Sequence, residues 1–143
     1  MRPQSIVMFE RLFLASLAIS AINTFIVFDG VARAVATNAS MQQMGLGSGF
    51  LIGLLGASFA IYLLLWYLIA HKAANVAKWI LVILMALGVL TSLPGLLQAS
   101  FDFATLSGLA AILLEVAAVV YLFRADASAW LTGKQPADPE AFD

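Results

Sequence analysis

The chain has 143 residues, of which 63% are hydrophobic and 10% are charged, and its net charge is −1. A soluble domain carries roughly 25% charged residues, so this composition predicts an integral membrane protein. The small net charge excludes nucleic-acid binding through a basic surface. With no cysteine and one histidine, the chain offers no thiolate or multi-histidine metal site and no visible nucleophile–base pair, so we expect neither a cofactor nor an enzyme.

The first predicted span covers residues 6–28. Its apolar run Leu12–Phe28 has 17 residues, more than the roughly 7–15 of a signal peptide, and Glu10 stands where a signal peptide is basic. We therefore interpret it as a true span. The outer segment 29–49 follows, where apolar residues at near-helical spacing predict short amphipathic helices on the membrane surface, broken at Thr37–Ser40.

Three further spans are predicted at residues 50–70, 79–97 and 103–123. About 20 residues cross a bilayer core of ~30 Å. Pro94 lies inside the third span, and a helix ending before it would be too short, so we expect a helix that continues through Pro94 with a kink. Residues 124–134 are predicted as an interfacial continuation of a single domain, 1–134, and residues 135–143 as a frayed acidic tail.

Lysine and arginine predict the orientation. Six of the seven fall on one side of the four spans: Arg2, Arg11, Lys72, Lys78, Arg124 and Lys134. Arg33 alone falls on the other side. Cytoplasmic ends carry the excess of cations, so we predict an all-α, antiparallel four-helix bundle with both termini in the cytoplasm.

The same predicted interface holds residues suited to lipid headgroups. They are Lys72, Lys78, Trp66, Trp79 and Trp130. Each cation would attract anionic headgroups by about 1 kcal/mol, and tryptophan is enriched at this depth. Orientation alone explains the pattern equally well.

Glu115 is the most unusual residue, since it lies 12 residues after Phe103 within the fourth span. That spacing puts it about 18 Å from the outer boundary, where an ionised carboxylate costs at least a few kcal/mol. We expect it to face the bundle, where it can hold a proton. Gly108, Ala111 and Ala118 share its helix face and favour close packing there.

Counting equal depths along the other helices identifies the expected neighbours of Glu115. Ser16, Tyr62 and Met85 lie level with it, so the Ser16 or Tyr62 hydroxyl can complete a hydrogen bond. Arg11 is the obvious charged partner, but it lies roughly 7 Å nearer the cytoplasm, so an ion pair requires a tilted helix or a bridging water. Glu115 is then either a proton or cation site or a neutral, hydrogen-bonded packing residue.

Two other helix faces indicate contacts. A polar stripe on the first span, typical of interhelical hydrogen bonding and with a pore lining as the alternative, comprises Ser16, Ser20, Asn23 and Thr24. A small-residue groove on the second span, suited to a helix of this chain or of another protomer, comprises Gly49, Gly53, Gly56, Ala57 and Ala60.

Four stretches of the chain resemble a group of small, uncharacterised four-span inner-membrane proteins of proteobacteria. They are Glu10–Leu17, Gly47–Gly53, Asn75–Leu81 and Leu122–Leu131. The resemblance implies a multi-pass protein of the bacterial inner membrane, and it carries no known activity.

Two functional hypotheses follow from these patterns. The first is a small non-enzymatic membrane protein that acts through helix packing as an accessory, assembly or scaffold subunit, either as a homo-oligomer or in a larger membrane complex. The second is a proton-coupled small-molecule transporter or channel that uses Glu115. In span count and in its single deep carboxylate the chain resembles small multidrug exporters, but its carboxylate lies in the last span.

Overall fold

A computed structural model describes residues 2–98 and 102–133 of the chain, and throughout this part the secondary structure is helical, with no strand. The helices are α1 Gln4–Thr37, α2 Ala39–Gln43, α3 Ser48–Lys72, α4 Asn75–Gln98, α5 Phe103–Tyr121 and α6 Ala125–Thr132. Four of them, α1, α3, α4 and α5, are long and apolar enough to cross a membrane. The prediction of an all-α chain with four such helices is confirmed. The predicted tail 135–143, like Lys134, lies outside the described residues.

Helix α1 is longer than predicted. Its 34 residues extend about 51 Å at ~1.5 Å per residue, against a bilayer core of about 30 Å. The span predicted at residues 6–28 lies within this helix, which continues to Thr37 because Gly30 costs only about 1 kcal/mol in a helix and the alanine-rich residues 31–36 contain no breaker. The short surface helices predicted in segment 29–49 therefore correspond to α2 and to the last residues of α1.

The predicted break at Thr37–Ser40 is confirmed by the capping of α2. Helix α1 ends at Thr37, and the Asn38 side chain begins the next helix. Its Oδ1 accepts hydrogen bonds from the backbone N–H groups of Ser40 and Met41, at 3.1 and 3.3 Å. Asparagine is favoured at this position because it satisfies N–H groups that have no partner within the helix.

The remaining connections are short. Helix α3 ends at Lys72, and the next residue, Ala73, adopts the left-handed conformation with φ of 50°. Helix α4 begins two residues later, at Asn75. The non-helical connection between the second and third spans, predicted at residues 50–70 and 79–97, is therefore shorter than the interval between those spans. Helix α4 continues through position 94 to Gln98, as predicted.

Helix α5 begins at an aspartate cap. The Asp102 Oδ1 accepts a hydrogen bond from the backbone N–H of Thr105 at 2.8 Å, and this bond is the main reason why the pKa of Asp102 lies below its usual value. The charged carboxylate is thereby the favoured form, and it stabilises the positive end of the helix dipole. After α5, a short turn leads at Arg124 into α6, the predicted interfacial continuation.

The buried core lies at one end of the bundle, which we call the packed end. It joins the start of α1, the end of α3, the start of α4, the end of α5, and α6. Its largest fully buried side chains are Phe9, Phe13, Ile6, Ile69, Leu81 and Leu122. The Phe13 ring stacks on Phe9 with 5.3 Å between centroids and lies 6.3 Å from the Tyr62 ring. At the opposite end Phe25 and Phe103 are exposed.

Helix α5 packs along α1 through its small residues. Ala111 and Ala118 are buried, and a Cβ atom placed on Gly108 would lie only 3.2 Å from Nδ2 of Asn23. Asn23 therefore packs directly over the glycine. The prediction that this face of α5 serves close packing is confirmed, and it places Glu115 toward α1.

Candidate functional site

A cavity of about 200 Å³ lies between α1, α3 and α5, and Glu115 is part of its wall. Its lining residues are Ser16, Leu17, Ser20, Ser58, Phe59, Tyr62 and Glu115. The structure thus brings together three residues that depth counting placed at one level: Glu115, Ser16 and Tyr62. Met85, counted to the same depth, is not part of the lining.

Two of the three serine hydroxyls that line the cavity donate hydrogen bonds within their own helices. Ser16 Oγ donates to the carbonyl of Phe13 and Ser58 Oγ to the carbonyl of Leu54, both at 2.8 Å. A hydroxyl whose proton bonds its own helix can offer only its oxygen lone pairs to other groups. Ser20 and Tyr62 add hydroxyl groups that can donate or accept. Glu115 is the acidic group of this lining, which therefore suits a proton or a cation better than an anion.

The Glu115 carboxyl has no hydrogen-bond or ion-pair partner among residues 2–92 and 102–133, the part whose side chains the structure describes. The hydrogen bond expected from Ser16 does not form, because the Ser16 proton is used within α1. Arg11 is exposed and lies outside the cavity lining, in keeping with its offset in depth. The charge of Glu115 is therefore left to be balanced by a proton or by a ligand.

An apolar groove of about 460 Å³ adjoins the polar cavity. It lies between α1 and α3 toward the less packed end, and its lining is Ala21, Thr24, Phe25, Phe28, Ile52, Leu55, Gly56 and Phe59. Phe59 forms part of both walls. The polar site consequently continues into a surface that suits hydrocarbon.

Sequence reasoning missed Ser58 and Phe59. Both could have been identified from the sequence, because Ser58 lies four residues before Tyr62 and Phe59 lies three residues before it. This spacing places all three on one face of α3. Of the predicted polar stripe on α1, Ser16 and Ser20 line the cavity, Thr24 lines the groove and Asn23 packs over Gly108.

The residues predicted to contact lipid headgroups gather at the packed end but differ in the exposure of their side chains. Lys72 is exposed at the end of α3. Lys78 is only 6% exposed, and its Nζ lies 4.7 Å from the centroid of the Phe123 ring and 5.4 Å from that of Trp79. Aromatic rings thus stabilise this cation through their negative faces.

The indole nitrogens of Trp66 and Trp130 are buried and find no acceptor within the described part of the chain. Tryptophan at a membrane interface usually turns its N–H group toward headgroups or water. Here the rings instead pack against the core of the packed end.

No known protein family matches this chain, and no curated protein or solved structure does. The resemblance to four-span proteins of proteobacteria therefore stays a prediction. Within residues 2–98 and 102–133, no cluster of three or more histidine or carboxylate side chains could hold a metal ion. The feature that bears most directly on function is the polar cavity around Glu115.

Proposed function

We propose that this chain is a multi-pass protein of the bacterial inner membrane that binds a proton or a small cation at Glu115 and couples its exchange to the passage of a small solute. Four helices able to span a membrane support the location, and the resemblance to proteobacterial proteins supports the choice of membrane. The cations of the packed end support cytoplasmic termini.

An antiparallel arrangement of α1 and α5 is supported by two contacts. The backbone N–H of Ser5 donates to Oδ2 of Asp126 at 3.1 Å, just beyond the end of α5. Asn23, farther along α1, meets Gly108 near the start of α5. Both contacts are expected if the two helices run in opposite directions.

One deep carboxyl without an ion-pair partner among the described residues carries the functional proposal. The Ser16 and Ser58 hydroxyls donate hydrogen bonds to carbonyl groups of their own helices, so neither hydroxyl donates to the Glu115 carboxylate. An ionised carboxylate is costly inside a membrane, and it must be neutralised by a proton or a bound cation. Replacing one by the other at Glu115 is the step that would couple the two fluxes.

The ionisation of Glu115 tests this proposal. Infrared difference spectra of the protein in a bilayer are expected to show a protonated carboxyl band whose intensity changes with pH, because a coupling site has to exchange its proton with water. Glu115→Gln is expected to lack that band.

Glu10→Gln is the matched control for this measurement. Glu10 is paired with Arg2 at 2.8 Å, toward the exposed start of α1, so its loss should leave the Glu115 band in place. A Glu115 band that is unchanged over the whole pH range would contradict a transport site and would leave a neutral packing residue.

The second candidate is an accessory or assembly subunit that acts through helix packing. The small-residue groove of α3 favours it, because a Cβ atom added at Gly49, Gly53 or Gly56 would meet nothing within 4 Å in the described structure. Among the described residues this groove therefore has no helix packed into it, and we propose that a second protomer or another subunit covers it.

Gly53→Leu tests this second role. The leucine fits a single chain, since the space at Gly53 is open, so only a contact with another chain would suffer from it. If the groove is such a contact, the population of oligomers measured by native mass spectrometry should fall about tenfold or more. Gly88→Leu on α4, where the space is equally open, is the control. A wild-type chain that is monomeric in bilayers would contradict a second protomer at this groove and would leave another subunit as its cover.

A further inference from the structure

A polar cleft of about 380 Å³ lies at the packed end, away from Glu115. It opens where the start of α1 meets the turn between α5 and α6, and its lining residues are Gln4, Ser5, Met8, Tyr121, Arg124 and Asp126. Tyr121 is the last residue of a helix able to span a membrane, so the cleft sits at headgroup depth. Its volume is within the range of small-ligand sites, which begins at about 300 Å³.

The cleft contains one fixed negative charge. Oδ2 of Asp126 accepts the backbone N–H of Ser5 at 3.1 Å and so caps the start of α1 from another helix. Burial, the largest single effect, acts to raise the pKa of Asp126, but the hydrogen bonds from Ser5 and from the backbone N–H groups of Ala127 and Asp126 together outweigh it and hold that pKa below its usual value. The carboxylate is therefore charged at neutral pH, and Oδ1 can accept a further donor.

The cleft also contains one positive charge, the guanidinium of Arg124. The Arg124 guanidinium carbon lies 5.6 Å from the centroid of the Tyr121 ring, and the guanidinium makes no ion pair with a carboxylate among residues 2–98 and 102–133. A planar guanidinium binds phosphate oxygens in pairs. One cleft thus offers a phosphate-binding cation and an ammonium-binding anion, beside the apolar side chain of Met8.

We propose that this cleft binds the zwitterionic headgroup of phosphatidylethanolamine, with the phosphate on Arg124 and the primary ammonium on Asp126. Free phosphoethanolamine shares this chemistry. The lipid is the occupant we infer, because the cleft lies at headgroup depth and an acyl chain would run along the apolar surface of the bundle. The site is independent of Glu115 and of the transport proposal.

Native mass spectrometry of the full chain in neutral detergent, titrated with dihexanoyl lipids, tests the assignment. Phosphatidylethanolamine should bind roughly tenfold more tightly than phosphatidylcholine, whose quaternary ammonium cannot donate a hydrogen bond to Asp126, or phosphatidylglycerol, which has no ammonium. Equal binding of the three lipids would overturn the proposal. Binding of free phosphoethanolamine as tightly as the lipid would overturn the lipid occupant.

Two variants separate the contacts. Arg124→Gln should weaken phosphatidylethanolamine roughly tenfold, whereas Lys72→Gln, which removes an exposed cation of the same end, should leave it unchanged. Asp126→Asn keeps an oxygen acceptor for the Ser5 N–H, so α1 stays capped while the charge is lost. It should abolish the preference for ethanolamine over glycerol. An unaltered preference in a helical, folded Asp126→Asn protein would overturn the assigned ammonium contact.

Discussion

A cysteine introduced at Ser58 is expected to react with a charged, water-soluble thiol reagent about 100-fold faster than one introduced at the neighbouring Ala57. Ser58 lines the polar cavity beside Glu115, whereas Ala57 lies outside the lining and faces outward from the bundle. The thiolate is the reactive form, and apolar surroundings that raise the thiol pKa by two units reduce it about 100-fold. The comparison measures whether water reaches the site.

The chain contains no cysteine, so each of these variants contains a single thiol. Labelling rates are measured by mass spectrometry in proteoliposomes, with Ala57→Cys as the control one residue away at nearly the same depth. Water in the cavity is required for proton exchange at Glu115. Equal, slow labelling of the two cysteines would show a dry cavity and contradict the transport proposal.

Phe13→Ala is expected to destabilise the fold by about 3–5 kcal/mol, the usual cost of emptying a buried aromatic site. The Phe13 side chain is fully buried and touches two rings, Phe9 and Tyr62. Its removal leaves a void at the base of the polar cavity. Unfolding in a titration with sodium dodecyl sulfate, followed by circular dichroism, gives the free energy of unfolding.

Phe25→Ala is the matched substitution on the same helix. Phe25 is 83% exposed, and we expect a change within about 0.5 kcal/mol. Similar losses for both variants would mean that α1 is not packed at Phe13 in the bilayer. Because Phe13 supports the Tyr62 ring, its loss should also alter the pH dependence of the Glu115 carboxyl band.

Sequence alone predicted the helices and the neighbours of Glu115 well. Depth counting at 1.5 Å per residue placed Ser16 and Tyr62 beside the carboxyl, because spanning helices have few ways to shift along one another. It could not foresee that the Ser16 proton bonds the carbonyl of Phe13, since rotamer choice is local. Nor could it find the cleft of Arg124 and Asp126, which depends on how α6 folds back against the start of α1.

The continuation of α1 beyond residue 28 was not predicted, for a related reason. Asp29, Gly30 and Arg33 look like the start of an aqueous loop, and hydropathy changes there. Helix propensity does not change in the same way, because alanine-rich sequence with one arginine favours a helix in water as well as in lipid. A span boundary and a helix boundary are different quantities, and the sequence pattern reports the first.

The uninterrupted length of α1 has a mechanical consequence. Residues 6–13 are clamped in the core of the packed end, whereas the other end of the rod extends well past the bilayer core. For rigid rotation about the clamp, a sideways displacement at Thr37 would reach Ser20 at roughly a third of its size, in proportion to the 1.5 Å rise per residue. A force on residues 31–37 would therefore tilt α1 about its clamped start. The tilt would widen or narrow the cavity, although nothing touches the cavity itself.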